Sequence, residues 1–474
     1  MKEDYDAVIV GSGSNGIAAA IRLQQQGLKT IIFEHAPSPG GSTKTQELTL
    51  PGFKHDVGSS ILPLGYASPF LGNLPLQKFG LKWVFPDIPF SQPFEDGSAL
   101  ACYQDIERTA NELGEDGQQY LKLFASLVDN WDALKDDLLG PLGWPDNPLE
   151  FLKFGFKALP SAAMVANHYF KNDYTKAFFY GSAAHSTLPL KSLASSSFGL
   201  VLTALAHKCG WPFPQGGAGN FTNSLVAYYK SLGGRLELDH SIKDFNALPQ
   251  ATSYLFDLTP KQLLKIDNLN LGWLYKKRLK AYKYGAGVFK IDWALKSPIP
   301  FVNEKCRRSG TVHLGFSTQE MEESEHKIHK GKMSSKPYVL IAQHSLFDKT
   351  RAPDGNHTAW AYCHVPHGST KNYTDLIENQ IERAAPGFKE CVLQRSTMNT
   401  EQLHVFNPNI IGGDINGGRQ DITQLFTRPV TKFSPYKTSN ASVYLCSSST
   451  PPGGGVHGMC GFHAAQQVLK DHFS

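Results

Sequence analysis

The chain has 474 residues, of which 41% are hydrophobic, and this size predicts a large core in two interleaved domains rather than a small module. Lys and Arg number 46 against 42 Asp and Glu, so the formal net charge is only +4. No block of like charges is suited to following a phosphate backbone. The composition therefore predicts a globular protein that does not bind nucleic acid.

The N-terminus and the cysteines bear on location and redox chemistry. Residues 1–6 lead directly into an apolar strand without the basic and apolar segments of a signal peptide, which predicts a cytoplasmic location. The most apolar stretch, residues 193–206, contains several serines and is shorter than the ~20 residues that span a bilayer. Seven scattered cysteines lack the spacing of metal ligands or of a redox pair, so neither a metal site nor a disulfide framework is expected.

The first forty residues contain a dinucleotide-binding pattern. An apolar strand, YDAVIV, is followed at once by GSGSNG at residues 11–16 and then by a helix-forming segment. Gly11 allows a tight turn, Gly13 lets the backbone approach a pyrophosphate, and Gly16 lets the helix pack closely on the strand. The N-terminus of the helix offers free N–H groups to the phosphates.

An acidic residue lies where this pattern needs one. Residues 29–33 are predicted to form a second strand, and Glu34 at its end is placed to hydrogen-bond a ribose hydroxyl. The carboxylate also disfavours a 2′-phosphate, so FAD or NAD suits the site better than NADP. The alternative is an ordinary strand–helix–strand unit whose glycines serve packing alone.

A second glycine-rich loop favours FAD over NAD. Gly40 and Gly41 are followed by Ser42, Thr43 and Lys44, and such a flexible, donor-rich loop suits the longer dinucleotide. On these segments the chain resembles the phytoene desaturase and amine oxidase group of flavoproteins, in which a Gly-Gly motif contacts the FAD pyrophosphate. The resemblance assigns that contact to Gly41, Ser42 and Thr43. The family commonly has Arg beside the glycine pair, where this chain has Ser42.

Two further segments carry the resemblance. Residues 52–59, GFKHDVGS, are similar to a family segment that passes near the flavin ring, where Asp56 either holds the backbone or caps a turn. Residues 444–461 contain a Gly/Pro loop before a helix, similar to the final flavin-binding motif of the family. There, N–H groups near Gly454 would face the flavin, and a helix that begins near Gly458 would favour hydride acceptance at N5.

The resemblance extends to the C-terminal helix. Within the family, the chain most resembles the pyridine nucleotide-disulphide oxidoreductase domain-containing protein 2 branch, in segments such as residues 346–353 and 412–418. It implies an α/β fold, with a Rossmann-type FAD-binding domain and an inserted α+β substrate domain of mixed sheet and helices. The FAD-binding domain is predicted at residues 1–70, 215–270 and 404–474, and the substrate-binding domain at 71–214 and 271–403. The predicted FAD-binding residues are Gly11, Ser12, Gly13, Asn15, Gly16, Glu34, His35, Gly40, Gly41, Ser42, Thr43, Asp56, Gly58, Ser59, Ser241, Ile242, Ser448, Gly454, Gly455, Val456 and Gly458.

The sequence lacks the patterns of a disulfide reductase and of a separate NAD(P)H domain. Cys102 is the first cysteine, so no CxxxxC pair follows the first glycine motif. Gly285 and Gly287 lead into a predicted strand, which offers no helix dipole to a phosphate. Electrons are therefore expected to leave by direct contact with an acceptor such as oxygen or a quinone.

The inserted segments predict a hydrophobic substrate. They are rich in aromatic residues and Pro, with a predicted helical stretch at 118–139 and strands at 288–294, 311–314, 338–343 and 358–365. An aromatic lining suits a substrate held against the flavin in a dry site, unless these aromatics are simply core. Residues 139–170 combine apolar residues with spaced Lys, as in an interfacial helix, a lid or a plain packed helix pair. Peripheral contact of this segment with a membrane is therefore one of the alternatives.

The leading hypothesis is a desaturase-like or dehydrogenase-like FAD-dependent oxidoreductase that transfers hydride from a C–C or C–N bond to flavin N5. The alternatives are a scaffold or interaction protein with a structural flavin, and a non-redox flavin isomerase. Neither the substrate nor the oligomeric state follows from the sequence. The candidate catalytic residues are His457, Asp414 and His185, with Asn416, His364, His367 and His404 as further polar residues near the expected site.

Overall fold

The computed structural model describes residues 4–473, and two large sheets organise it. The first three residues, on which part of the N-terminal prediction rests, lie outside this range. The strands are β1 (Tyr5–Val10), β2 (Thr30–Phe33), β3 (Thr45–Gln46), β4 (His55–Asp56), β5 (Trp83–Val84), β6 (Ile88–Pro93), β7 (Ala99–Cys102), β8 (Phe213–Pro214), β9 (Arg235–Glu237), β10 (Ala251–Phe256), β11 (Gly287–Leu295), β12 (Ser309–Leu314), β13 (Val339–Ala342), β14 (His357–Val365), β15 (Val392–Met398) and β16 (Val443–Leu445).

The helices cover these sheets and connect their strands. They are α1 (Ser14–Gln24), α2 (Pro63–Tyr66), α3 (Ile106–Glu112), α4 (Gly117–Asp129), α5 (Trp131–Leu138), α6 (Pro148–Ala158), α7 (Ala162–Tyr169), α8 (Asp173–Ala183), α9 (Ser196–Cys209), α10 (Ala218–Ser231), α11 (Pro260–Leu263), α12 (Trp273–Lys280), α13 (Glu304–Arg307), α14 (Thr318–His329), α15 (Thr374–Ala384), α16 (Phe388–Cys391), α17 (Thr400–Phe406) and α18 (Met459–His472).

The first sheet is parallel and has the strand order β16-β10-β1-β2-β9. Both faces of its central strand are buried, as a parallel sheet between helical layers requires, so β1 is apolar throughout its second half. Helices α1, α10 and α18 cover one face, while α12 and its neighbouring loops cover the other. This arrangement confirms the predicted Rossmann-type α/β fold.

All five strands of this sheet run in one direction, so their carboxyl ends lie at the same edge. The glycine turn follows β1, Glu34 follows β2, Asp257 follows β10, and the C-terminal Gly/Pro loop follows β16. The carboxyl edge of an open parallel sheet is where such folds bind nucleotides. Leu71 and Leu279 also pack in the cores beside this sheet, so those cores extend beyond the boundaries predicted at residues 70 and 270.

The second sheet is mixed and has the strand order β15-β11-β14-β13-β12-β6-β7. Its neighbouring strands are antiparallel except for the β6–β12 pair. Because side chains alternate between faces, Ile291 and Trp293 enter an apolar core against α15, whereas Lys290 and Asp292 point to the opposite face. The strands predicted at 288–294, 311–314, 338–343 and 358–365 form here within two residues of their predicted ends.

Residues 139–170 contain α6 and α7, and α6 has one side packed on the core and one side exposed. Phe151 and Phe154 pack against the helical core, while Leu149, Leu152 and Phe156 are 64%, 55% and 72% exposed on the other side of the helix. In the described part of the chain, no helix is long and apolar enough to cross a bilayer.

Candidate active site

One continuous cavity joins the carboxyl edge of the parallel sheet to one face of the mixed sheet. We call its first part the cofactor groove, which is lined by the predicted residues Gly11, Ser12, Gly13, Asn15, Glu34, His35, Gly40, Gly41, Ser42, Thr43, Gly58, Ser59, Ser448, Gly454, Gly455 and Val456. We call its second part the substrate compartment, which is lined by His185, Phe198, Leu202, Trp211, Val288, Lys290, Thr311, Leu340, Trp360 and Tyr362.

The two glycine loops of the groove approach each other closely. Gly11 has a φ of 101° and Gly41 a φ of 57°, both in the left-handed region that favours glycine. A Cβ on Gly41 would lie 3.1 Å from the Cα of Gly13, so a side chain there would require the loops to shift by a few tenths of an ångström. Within residues 4–473, no side chain caps the N-terminus of α1, and the buried Oδ1 of Asn15 has no hydrogen-bond partner. These features fit a pyrophosphate.

Glu34 forms the acidic end of the groove. Its carboxylate accepts hydrogen bonds from the N–H and Oγ of Ser12, at 2.8 and 2.6 Å, and lies 2.9 Å from Nδ1 of His35. Burial opposes ionisation, but the hydrogen bonds from His35 and Ser12 outweigh it and lower the pKa of Glu34 to about 2. A carboxylate that stays charged suits ribose hydroxyls and repels a 2′-phosphate, as the sequence predicted.

Asp257 is a buried acid whose position in the groove was not predicted. It accepts a hydrogen bond from the N–H of Gly16 at 3.1 Å, and its Cβ lies 3.1 Å from the Cβ position of Gly11. Burial raises the pKa of Asp257 to about 7. A carboxyl with this pKa carries only part of its negative charge near neutral pH, which reduces the repulsion of a pyrophosphate. The sequence signal was an acid directly after a buried strand.

Some predicted cofactor residues lie outside the lining of the groove. Gly16 packs against the carbonyl of Gly11, and Gly458, with a φ of 69°, begins α18. Asp56 is buried in an ion pair with Nη2 of Arg351 at 2.5 Å and also accepts the N–H of Ala218. Ile242 packs in the core below the parallel sheet, and Ser241 is exposed beside it. Direct cofactor contacts by these residues stay predictions.

The catalytic candidates divide between the cavity and the surrounding core. His185 lines the substrate compartment, and Asp414 and Asn416 line the cavity, where Asp414 accepts the N–H of Gly285 at 2.6 Å. His457 is buried behind the groove, and its Nδ1 accepts the N–H of Met459. The other three candidate histidines form hydrogen bonds to separate partners. His364 bonds to the carboxylate of Glu325, His367 to the carbonyl of Gly285, and His404 to the carbonyl of Ile410.

A buried charge network below the substrate compartment was also missed. Lys290 pairs with Asp292, whose other oxygen lies 3.7 Å from Nδ1 of His55. Burial lowers the pKa of Lys290, while burial raises that of Asp292 to about 6 against the effect of Lys290. The sequence signal was a Lys and an Asp two residues apart in an otherwise apolar strand, GVFKIDWAL.

The comparisons with known proteins agree with this geometry. The model of the NAD(P)-binding Rossmann-like domain matches residues 9–72, which contain both glycine loops and Glu34. The chain is 26% identical to pyridine nucleotide-disulfide oxidoreductase domain-containing protein 2 of Mus musculus, over 99% of this chain and 94% of that protein. It is 22% identical to a lycopene-forming phytoene desaturase of Paracoccus, over 98% and 97% of the two chains.

The chain is related to FAD-dependent oxidoreductases. This relationship confirms the predicted resemblance and FAD as the cofactor, and the cofactor groove fits FAD. The fold also matches the solved structure of cyclohexylamine oxidase from Brevibacterium oxydans, with a TM-score of 0.60, 14% identity and 99% coverage of both chains. At that identity the match concerns the fold alone.

Proposed function

We propose that this FAD-dependent oxidoreductase dehydrogenates a C–C or C–N bond of a hydrophobic small molecule bound in the substrate compartment. The observation that supports the proposal is the continuity of the cofactor groove with a largely apolar compartment. FAD supplies a hydride acceptor at N5 when bound. The name of one relative points in the same direction, since that relative is a phytoene desaturase.

The residues of the compartment would bind the substrate and keep water away from it. Phe198 and Leu202 from α9 form one wall together with Trp211, which is 3% exposed. Leu340 and Trp360 of the mixed sheet lie on the floor. A closed apolar site strengthens electrostatic interactions and limits side reactions with solvent. Lys290 is held in place by Asp292, so it can position a polar group or hold a proton at one end of the floor.

The test is anaerobic reduction of the bound flavin by candidate substrates, followed by reoxidation with oxygen or a quinone. We expect at least one long-chain alkene, alcohol or amine to bleach the flavin absorbance of the purified protein, and one of the two acceptors to restore it. A flavin that dithionite bleaches but no candidate substrate reduces would favour the structural-flavin alternative. A product that forms only in the chemically reduced protein, without net oxidation, would favour the isomerase.

We also propose peripheral contact with a lipid surface through the exposed face of α6. Leu149, Leu152 and Phe156 lie on one side of this helix, and Trp144 in the preceding loop is 90% exposed. Lys153 flanks the face and pairs with Glu150, and its half-exposed ammonium group can also meet a lipid phosphate. Helix α6 packs on α9, whose residues line the compartment, so a hydrophobic substrate would have a short path from lipid. The cytoplasmic location stays a prediction.

A further inference from the structure

The floor of the substrate compartment is more polar than an aromatic, apolar lining would be. Lys290, Tyr362, Leu340 and His313 are paired in register across the neighbouring strands β11, β14, β13 and β12. Their side chains therefore lie in a row on the same face of the sheet. Since neighbouring strands are ~4.8 Å apart, the backbones that carry Tyr362 and His313 are separated by about 10 Å, with Leu340 between them.

His185 lies over one end of this row. It comes from the turn after α8, and its Nε2 is 3.2 Å from Nε2 of His313. The ring of Trp211 meets it edge-on, with 5.5 Å between the ring centroids. This pairing fixes the imidazole, so Nδ1 of His185 is the nitrogen that is left for a ligand.

Four polar atoms of the compartment lack a hydrogen-bond partner among the described residues. Nδ1 of His185 and Oη of Tyr362 make no hydrogen bond to any other residue in the range 4–473, and both residues are partly exposed where they line the cavity. Within the same range, Oγ1 of Thr311 and Nε1 of Trp360 are buried without partners. Covering such atoms with a pure hydrocarbon costs about 1–3 kcal/mol for each group that loses water.

Among the residues that the structure describes, this compartment offers no unpaired counter-ion to a charged ligand. Burial lowers the pKa of His185 to about 3, so its ring is neutral near neutral pH. Lys290 already pairs with Asp292. An unpaired carboxylate or ammonium group would therefore be buried without compensation, which costs far more than burying a neutral oxygen.

We propose that the substrate is an uncharged, elongated molecule that lies over Leu340 and carries a hydroxyl or carbonyl oxygen bonded to His185 or Tyr362. This inference rests on the proposed function, since it names the substrate class for the same compartment. It separates this chain from enzymes whose pockets take a pure hydrocarbon or a charged amine.

The test compares four ligands that share a chain length, namely decane, decanol, decanoate and decylamine. Their binding to the FAD-loaded protein is measured by calorimetry, which needs no turnover. We expect decanol to bind about ten-fold more tightly than each of the others, since a site built for a hydroxyl rejects analogues that lack it. Equal or tighter binding of decane, decanoate or decylamine would overturn the inference.

Two variants locate the interaction. Tyr362→Phe keeps the ring and removes only the hydroxyl, and His185→Leu removes the imidazole at the other end. We expect at least one of them to reduce the preference for decanol over decane to less than about three-fold. Tyr174→Phe, a substitution outside the cavity lining, is the matched control and keeps the preference.

The outcomes also separate this inference from the proposed function. Flavin reduction by decane as fast as by decanol would refute the oxygen-bearing substrate and leave the oxidoreductase intact. Selective binding of decanol with no flavin reduction by any candidate would support the inference and refute the proposed reaction. A preference for decanol that both variants retain would refute the roles of His185 and Tyr362.

Discussion

At the scale of single residues, Gly41 provides a direct test of the cofactor groove. Gly41→Ala adds a Cβ 3.1 Å from the Cα of Gly13, at a φ of 57°. Because this contact and the left-handed backbone shift the two loops relative to each other, we expect FAD affinity to fall about ten-fold, which corresponds to about 1.4 kcal/mol. Flavin fluorescence titration of the apoprotein measures this change.

Gly27→Ala is the matched control for that substitution. Gly27 also has a positive φ, of 81°, but its Cβ position meets no described atom within 4 Å. Both variants lose roughly 1 kcal/mol of stability through the left-handed backbone, whereas only Gly41→Ala should weaken FAD binding. Equal FAD affinity of the two variants would contradict the close-approach argument.

Asp257 makes stability depend on pH. Its pKa is about 7 in the folded protein against an ordinary 3.8, because burial disfavours the charged form. The folded state therefore holds this proton more tightly, and the resulting stability is lost as the pH rises from about 4 to 7. Asp257→Asn stays neutral, so we expect it to be more stable than the natural apoprotein by about 4 kcal/mol above pH 7 and nearly equal near pH 4.

Glu34→Gln serves as a control of opposite sign in the same urea unfolding series. The pKa of Glu34 is lowered to about 2, so its charge stabilises the folded state at neutral pH and that contribution is lost as the pH falls through about 2. We expect this variant to be destabilised by about 3 kcal/mol at neutral pH, with the difference shrinking in acid. A pH-independent effect of either substitution would refute the linkage.

Lys290 and Asp292 should behave as a coupled pair. Lys290→Met leaves Asp292 buried without a counter-ion, so we expect a loss of about 3–5 kcal/mol in the free energy of unfolding. Adding Asp292→Asn to that variant removes the orphaned charge and should restore a large part of the loss. A double-mutant cycle from urea unfolding measures the coupling, and simple additivity of the two substitutions would show that the pair is not coupled.

At the scale of elements, α6 is the helix whose exposed face tests contact with lipid. The double variant Leu152→Ser with Phe156→Ser removes two side chains that are 55% and 72% exposed. Since burying one such side chain in a membrane stabilises binding by about 1.5–3 kcal/mol, we expect vesicle binding to fall more than ten-fold. Flotation with vesicles of phosphatidylcholine and phosphatidylglycerol measures it.

The matched control for α6 is Phe433→Ser, which removes a fully exposed aromatic ring from a different loop. This variant should float with the vesicles as the natural protein does. The proposal of lipid contact fails if the natural protein does not float, or if the α6 variant floats equally well.

At the scale of the whole molecule, the groove joins segments from both ends of the chain. It takes Gly11 and Glu34 from the beginning, Asp257 from the middle and Gly454 from near the end. A cofactor that binds only this assembled state stabilises folding by about 2.7 kcal/mol at a free concentration 100-fold above its Kd. We expect the urea concentration at the unfolding midpoint to rise steadily with FAD concentration. A midpoint that does not change with FAD concentration would contradict a groove that forms on folding.

The sequence by itself determined the fold class, the main strands and most of the lining of the groove. It did so because Gly11, Gly13 and Gly41 are needed for local backbone geometry. Glu34 lies at the fixed sequence distance from the glycine turn at which an acid can bind a ribose hydroxyl. The strand β11 was likewise predictable from its apolar run, although its Lys290 and Asp292 were not recognised as a pair.

Only the tertiary structure decided which residues meet around the cofactor groove and the substrate compartment. Asp257 lies under the glycine turn because β10 pairs beside β1, although the two strands are distant in sequence. Asp56 meets Arg351, and His185 meets His313, through contacts that no local pattern encodes. Whether a strand residue faces a core or a cavity depends on which elements cover each face of the sheet, and that is settled by long-range packing rather than by neighbours in the chain.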